Sequence, residues 1–187
     1  MTSALTIPEF FAADRVGDVW RIPYEERAVQ AQAWSQTHGI QPARNDGPRL
    51  CLLAIDVQNT FCIPGFELFV GGSSGQGAVD DTRRLCEFVY RNLGHITEIV
   101  PTMDTHRAVQ IFHAAFWVDG DGQMPTPMTM VDLAAVRDGQ WRVNPAIAAS
   151  LGIPLEQLET FALHYVQQLS DDGKYPLTVW PYHSMLG

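Results

Sequence analysis

The sequence predicts an α/β protein built on a parallel sheet. A continuous apolar run at residues 50–55 ends in Asp56, and a second strand-like run at residues 95–103 ends in Asp104. A helical pattern lies between the two runs. Strand, helix and strand in this order form the βαβ unit, whose right-handed crossover makes the two strands parallel.

The first 48 residues are expected to form an arm outside the domain at residues 49–187. The arm contains one predicted helix, Tyr24 to His38, because acidic residues open it and Gly39 favours its end. A polar linker follows this helix. We find no catalytic pattern in the arm and expect it to pack against a neighbouring element or subunit.

Within the domain, the run at residues 50–56 is typical of a buried central strand of a parallel sheet. The glycine-rich residues 71–77 lack the Gly-Lys-Ser/Thr ending of a phosphate-binding loop and are interpreted as a flexible loop. Asp80 or Asp81 is expected to cap a helix that runs to about Leu93.

The C-terminal half has weaker patterns. Residues 132–150 suggest short helices broken by Gly139 and Pro145. Residues 154–168 form an amphipathic pattern with proline at its start, as in a surface helix. The pattern of residues 175–180 predicts a third strand, which is followed directly by Pro181-Tyr-His183.

Composition excludes some classes of partner. The formal net charge is −9, with 21 acidic against 12 basic residues, so neither nucleic acid nor an anionic membrane is an expected partner. No apolar run approaches the roughly 20 residues of a membrane span, and no signal peptide is expected at the N-terminus. Three cysteines cannot all pair within one chain, which favours a reducing, cytoplasmic location.

Asp104 and His106 are two residues apart, directly after a predicted strand. Side chains two apart in an extended segment point to one side, where a carboxylate and an imidazole can bind one divalent metal. Taken alone, this pair is a weak signal, because a turn aspartate followed by a surface histidine is the commoner explanation of such a pattern.

Three motifs in the right order resemble the isochorismatase-like and nicotinamidase-like cysteine hydrolases. They are Asp56-x-Gln58-x-x-Phe61, Asp104-x-His106 and Trp180-Pro-x-His183, each at a predicted strand end. The resemblance covers residues 50–187. It implies a doubly wound, three-layer sandwich with a central parallel sheet.

The resemblance also implies roles for individual residues. Asp56 matches the catalytic aspartate, which takes a proton from a cysteine nucleophile. Phe61 and Trp180 match aromatic residues that sandwich a planar substrate. The metal ligands implied are Asp104, His106 and His183, with His113 as a less expected fourth ligand, since its spacing from His106 is one residue longer than the family pattern.

The implied activity is hydrolysis of a C–N bond in a small amide. A thiolate attacks the carbonyl, ammonia leaves, and water hydrolyses the thioester. The implied cofactor is one divalent ion, zinc, iron or manganese. The residues alone leave His113 open as a packed, hydrogen-bonded histidine, and Asp56 open as a turn residue.

The sequence departs from the family after its last motif. The family's lysine and nucleophilic cysteine follow the Trp-Pro-x-His segment, and this chain ends at Gly187. Cys51 and Cys86 are expected to be buried and inert, Cys62 lacks an adjacent base, and Lys174 lies before the motif. We therefore expect a C-terminally incomplete domain that is inactive as this chain alone.

Three alternatives remain open at this point. The chain could act as a hydrolase within a homo-oligomer or with a complementing chain. It could be a non-catalytic remnant that binds a metal or ligand. It could also be a hydrolase that uses metal-activated water and needs no cysteine.

Overall fold

The computed structural model describes residues 4–186 and shows a mixed α/β protein. The chain divides into two compact units, Met1–Asp104 and Thr105–Gly187. Six α-helices and six short strands are present in the described residues.

The first unit is built around a two-stranded parallel sheet. Its α-helices and strands are α1 (Tyr24–Thr37), β1 (Cys51–Ala54), α2 (Asn59–Cys62), α3 (Gly77–Asn92) and β2 (Glu98–Pro101). β1 pairs with β2 from Cys51 opposite Glu98 to Ala54 opposite Pro101. Because α3 connects the two parallel strands, the predicted βαβ order is confirmed. Within residues 4–186 the sheet contains only these two strands, so the doubly wound sandwich stays a prediction.

The prediction that the first strand is buried is wrong. Leu53 is 54% exposed and Ile55 is 63% exposed. Cys51, which we expected to be buried, is also exposed. A continuous apolar run predicts burial only where other elements cover both faces of the strand. The described part of this unit leaves these side chains uncovered.

The N-terminal arm packs onto α3 in the first unit. The rings of Phe10 and Phe11 lie 6.1 and 5.4 Å from the Tyr90 ring, measured between centroids. The backbone N–H of Leu5 donates a hydrogen bond to the Arg91 carbonyl at 2.9 Å. Helix α1 ends where expected, since Gly39 adopts a φ of +61° directly after the capping residue His38.

Helix α3 begins earlier than the sequence indicated. Its first residue is Gly77, so neither Asp80 nor Asp81 is its N-cap, and both predicted caps are wrong. The N–H groups of Gly77 and Ala78 donate to carbonyl oxygens of the preceding loop, at 2.7 and 3.0 Å. These bonds satisfy helix-terminal donors that a side-chain cap would otherwise serve.

The second unit combines short antiparallel pairs with three helices. Its elements are β3 (Trp117–Val118), β4 (Met130–Val131), α4 (Leu133–Arg137), β5 (Arg142–Val143), α5 (Pro145–Leu151), α6 (Leu155–Asp171) and β6 (Leu177–Thr178). β3 pairs with β5, and β4 pairs with β6. The buried apolar cluster of this unit includes Trp117, Val143, Leu158 and Val166.

Proline starts α5 rather than breaking it. Pro145 is the first residue of this helix, where its missing N–H costs no hydrogen bond. Asn144 caps the helix by accepting a hydrogen bond from the Ala146 N–H at 3.0 Å. The predicted helix at residues 154–168 is confirmed as α6, which extends to Asp171.

The third predicted strand forms, but outside the parallel sheet. It is β6, which is two residues long and antiparallel to β4. The Trp-Pro-x-His segment therefore follows a strand, as expected. None of the helices in residues 4–186 combines the length and the apolar character needed to cross a membrane.

Candidate metal centre

Asp104 lies three residues after the end of β2, in the first unit. The Gln58 side chain binds its backbone at two points: the Asp104 N–H donates to Gln58 Oε1 at 2.5 Å, and Gln58 Nε2 donates to the Asp104 carbonyl at 3.2 Å. The direction of the backbone at Asp104 is therefore set by a side chain from the segment after β1.

His106 and His183 are brought together by pairing of their chain segments in the second unit. The His106 N–H donates to the Ser184 carbonyl at 3.0 Å, and the Leu186 N–H donates to the His106 carbonyl at 2.9 Å. Their ring centroids lie 4.6 Å apart. His183 is only 5% exposed, although it is four residues from the last residue of the sequence.

His113 belongs to the same cluster of imidazoles. Trp180 pairs with it in a parallel bridge, and the Trp180 N–H donates to the Phe112 carbonyl at 2.8 Å. The His113 ring lies 5.9 Å from the His106 ring between centroids, and it has no exposed surface. The segment from Trp180 onward thus aligns with both His113 and His106.

The Nδ1 atom of each of the three imidazoles faces an oxygen. His106 Nδ1 lies 3.1 Å from Gln110 Oε1, His113 Nδ1 lies 3.1 Å from the Ala108 carbonyl, and His183 Nδ1 lies 2.7 Å from the Pro181 carbonyl. A carbonyl oxygen can only accept, so Nδ1 carries the proton in each ring. In the neutral form Nε2 is then the nitrogen that carries the lone pair, which is the state a metal ligand needs.

The orientation of the Gln110 amide is fixed by a second donor. Its Oε1 also accepts a hydrogen bond from the Arg107 N–H at 3.2 Å. Since a backbone N–H can only donate, the atom facing both Arg107 and His106 must be the oxygen. The assignment of Nδ1 as the protonated nitrogen of His106 therefore does not depend on an arbitrary choice of amide flip.

The Nε2 atom of His113 is buried and lacks a hydrogen-bond partner among the described residues. An unsatisfied buried acceptor of this kind costs on the order of 1–3 kcal/mol. Burial lowers the pKa of His113, and the neighbouring His106 and His183 lower it further, against an opposing effect of the Ala108 hydrogen bond. These effects favour the neutral form of His113, whose Nε2 lone pair has no partner among the described residues.

Asp104, His106 and His183 form a group that could hold a metal ion. One ligand atom of each lies within 4.8 Å of the others. His183 is buried, whereas Asp104 and His106 are partly buried. One carboxylate oxygen and two imidazole nitrogens suit zinc, iron or manganese, and this donor set does not select among them. The described group does not include His113, whose role as a fourth ligand stays a prediction.

Residues that follow β1 line a cavity in the first unit. Asp56, Phe61 and Cys62 line this cavity, which has a volume of about 260 Å³. Asp56 is exposed and adopts a φ of +57°, a left-handed conformation that aspartate tolerates better than most residues. The Cys62 Sγ lies 3.9 Å from the Asp56 backbone carbonyl.

Trp180, the second predicted aromatic wall, lies in the histidine cluster of the second unit. Its ring centroid is 6.0 Å from that of His183, and 41% of the residue is exposed. Phe61 is partly buried in the first unit. The sandwiching of a substrate between these two residues stays a prediction.

The sequence did not reveal the residues that orient the candidate ligands. Gln58 was visible as part of a motif, but its bonds to Asp104 were not predicted. Gln110 lies four residues after His106, a spacing that could have suggested a hydrogen-bonded partner. The carbonyl oxygens of Ala108 and Pro181 carry no sequence signal, because every residue has one.

No family model matches the chain. No curated protein and no solved structure matches it either.

Proposed function

We propose that this chain is a hydrolase of nicotinamidase-like type, which acts on a C–N bond of a small amide, binds one divalent metal and gives no turnover by itself. The observation that carries the proposal is the donor geometry at Asp104, His106 and His183. The three ligand atoms lie within 4.8 Å of one another. Both histidines have Nδ1 bound to an oxygen, so Nε2 is the nitrogen that would bind the metal.

Zinc, iron or manganese would be held by these three residues. When bound, such an ion supplies a Lewis acid that polarises a carbonyl oxygen or lowers the pKa of a water molecule. The chain contributes one carboxylate charge and two neutral imidazoles, so a divalent ion would keep a net positive charge. The Gln110 and Pro181 oxygens hold the two rings in orientation.

Asp56 is the proposed proton acceptor. Its carboxylate is exposed and lines the cavity that Phe61 and Cys62 also line. There it can take a proton from an attacking thiol or water, and the Phe61 ring can contact a planar amide. Trp180, beside His183, is the proposed second aromatic contact with the substrate.

The test is ammonia release from a panel of small aromatic and aliphatic amides, with the metal-free chain reloaded with Zn²⁺, Fe²⁺ or Mn²⁺. We expect no turnover by this chain alone. A second chain that carries the family's lysine and nucleophilic cysteine should restore turnover that requires metal, is abolished in Asp104→Ala and is strongly reduced in Asp56→Asn. Turnover by this chain alone would contradict that expectation, and Cys62→Ser, with Cys51→Ser as the matched control, would then test whether the nucleophile is a thiol or water. Loss of activity in the Cys62 variant alone would identify a thiol nucleophile, and full activity in both would identify water.

A second candidate function is favoured by the exposed sheet of the first unit. Parallel sheets are normally covered on both faces, yet Leu53 and Ile55 are more than half exposed in the described structure. The chain would then be a non-catalytic protein that binds a metal or ligand, or a subunit whose sheet another chain or a second copy completes. Stoichiometric metal binding with no turnover on any amide of the panel, even when the complementing chain is added, would favour this second function.

A further inference from the structure

The Gln58 side chain takes the place of a neighbouring strand at Asp104. The backbone ladder of β1 and β2 continues one step past Pro101, where the Thr102 N–H donates to the Ala54 carbonyl at 2.9 Å. Beyond Thr102, side chains make the hydrogen bonds that backbone groups make within the two strands. Thr102 Oγ1 accepts the Asp56 N–H at 3.1 Å, and the Gln58 amide binds both backbone polar groups of Asp104.

The left-handed turn at Asp56 explains why a side chain is needed. An extended strand has a strongly negative φ, and the φ of +57° at Asp56 turns the chain out of the ladder. The backbone after Asp56 is therefore not in strand register with Thr102 to Asp104. A glutamine side chain carries one carbonyl and one N–H₂ group, so it can donate and accept at a single residue as a paired strand does.

We infer that Gln58 is a positioning residue for the Asp104 carboxylate in the metal centre. This inference rests on the proposed metal site. An aspartate side chain has only two rotatable bonds, so the position of its carboxylate follows closely from the position of its backbone. Gln58 holds that backbone at both of its polar groups, and it is partly buried, which limits competition from water.

The expected loss of metal affinity can be estimated from other proteins in which a residue hydrogen-bonds to a metal ligand. Groups that orient a metal ligand without touching the metal typically change metal affinity by roughly 10- to 100-fold when they are removed. Gln58→Met keeps the length and approximate volume of the side chain but removes both hydrogen bonds. We expect this variant to bind Co²⁺ about 10- to 100-fold more weakly than the original chain.

The experiment is a double-mutant cycle measured with Co²⁺ alone on the full chain. Dissociation constants are obtained by competition with a chelating dye for the original chain, Gln58→Met, Asp104→Ala and the double variant. The visible absorption of bound Co²⁺ reports ligand geometry in each. Gln41→Met is the matched control, since Gln41 also donates to a backbone carbonyl, that of Gly39 at 3.0 Å, in the same unit.

A positioning role makes a prediction that a purely structural role does not. If Gln58 acts through the Asp104 carboxylate, the double variant should bind Co²⁺ as tightly as Asp104→Ala alone. The Co²⁺ absorption should change in Gln58→Met and remain unchanged in Gln41→Met. A change in melting temperature caused by lost hydrogen bonds should instead be the same in both backgrounds.

The outcomes separate this inference from the proposed function. If the original chain binds Co²⁺ and Asp104→Ala weakens binding, but Gln58→Met binds as tightly as the original, the positioning role is overturned and the metal site stands. The role is also overturned if Gln58→Met lowers Co²⁺ affinity by the same factor whether residue 104 is aspartate or alanine. The loss would then be a general effect on folding. No Co²⁺ binding by the original, folded chain would overturn both.

Discussion

His106 and His183, which are 77 positions apart in the sequence, lie with their ring centroids 4.6 Å apart in the second unit. Two backbone hydrogen bonds bring them together, from His106 to Ser184 and from Leu186 to His106. Each ring is then oriented by an oxygen at Nδ1. The pairing of these segments, rather than a regular sheet, is what assembles the candidate metal centre.

Replacing Gln110 should weaken metal binding without removing any ligand. Gln110→Met deletes the oxygen that accepts from His106 Nδ1, so the ring loses the contact that fixes its tautomer and orientation. We expect Co²⁺ or Zn²⁺ affinity to fall about 10-fold. Calorimetric titration measures this change, with the exposed Gln140→Met as the control. Equal affinity in the Gln110 variant and the control would contradict a role for the Gln110 oxygen.

Acid should destabilise the metal-free protein through His113. Burial is the main cause of its lowered pKa in the folded state, and the facing His106 and His183 add to it. The unfolded state therefore binds more protons just below the ordinary histidine pKa of about 6.5, so the free energy of unfolding falls as the pH falls through this window.

The measurement is urea unfolding in the presence of chelator between pH 5 and pH 8 (values chosen to bracket the ordinary histidine pKa of about 6.5). One histidine contributes at most about 1.4 kcal/mol per pH unit. His113→Gln should have a shallower dependence of unfolding free energy on pH below about 6.5. An unchanged slope in this variant would show that protonation of His113 is not linked to folding.

Cysteine reactivity should follow the observed exposure rather than the sequence expectation. Cys51 is exposed. Burial raises the pKa of the Cys86 thiol, with a further contribution from Glu87, so this thiol is both less accessible and less often ionised. Timed alkylation followed by peptide mass spectrometry should label Cys51 at least about 10-fold faster than Cys86, given how steeply reactivity depends on thiolate and access. Faster labelling of Cys86 would contradict this packing.

Two leucines provide a matched test of where the buried core lies. Leu158 in α6 is 6% exposed, whereas Leu53 in β1 is 54% exposed. Leu158→Ala should lower the free energy of unfolding by about 2–5 kcal/mol, because it leaves a cavity. Leu53→Ala should cost about 1 kcal/mol or less. Urea unfolding checks both values, and a larger loss for Leu53 would mean that β1 is covered in solution.

Local patterns predicted the main helices and the order of the parallel strands. α1 follows from its terminal signals, and α6 follows from its initial proline and its apolar periodicity, all of which lie within or beside the segments themselves. The exposure of β1 could not be predicted from its apolar run, because burial of a strand depends on which other elements cover it. The start of α3 was missed because its donors bind the carbonyls of Val70 and Gly71, which depends on how the preceding loop folds.

The sequence predicted the candidate metal ligands but not the residues that orient them. Aspartate and histidine at motif spacing identified Asp104, His106 and His183, because few residue types bind metal. The Gln58 bonds to Asp104 link residues 46 positions apart. The unpartnered Nε2 of His113 becomes evident only once burial is known.

The central claim is that the chain binds one divalent metal at Asp104, His106 and His183. Metal content after equilibration of the full, chelator-treated chain with Zn²⁺ and removal of free ion is the most direct test. We expect about one Zn²⁺ per chain, with loss of tight binding in His106→Ala and His183→Ala and retention in His164→Ala, an exposed histidine of α6. Folded chain without bound Zn²⁺, or equal binding by all three variants, would contradict the claim.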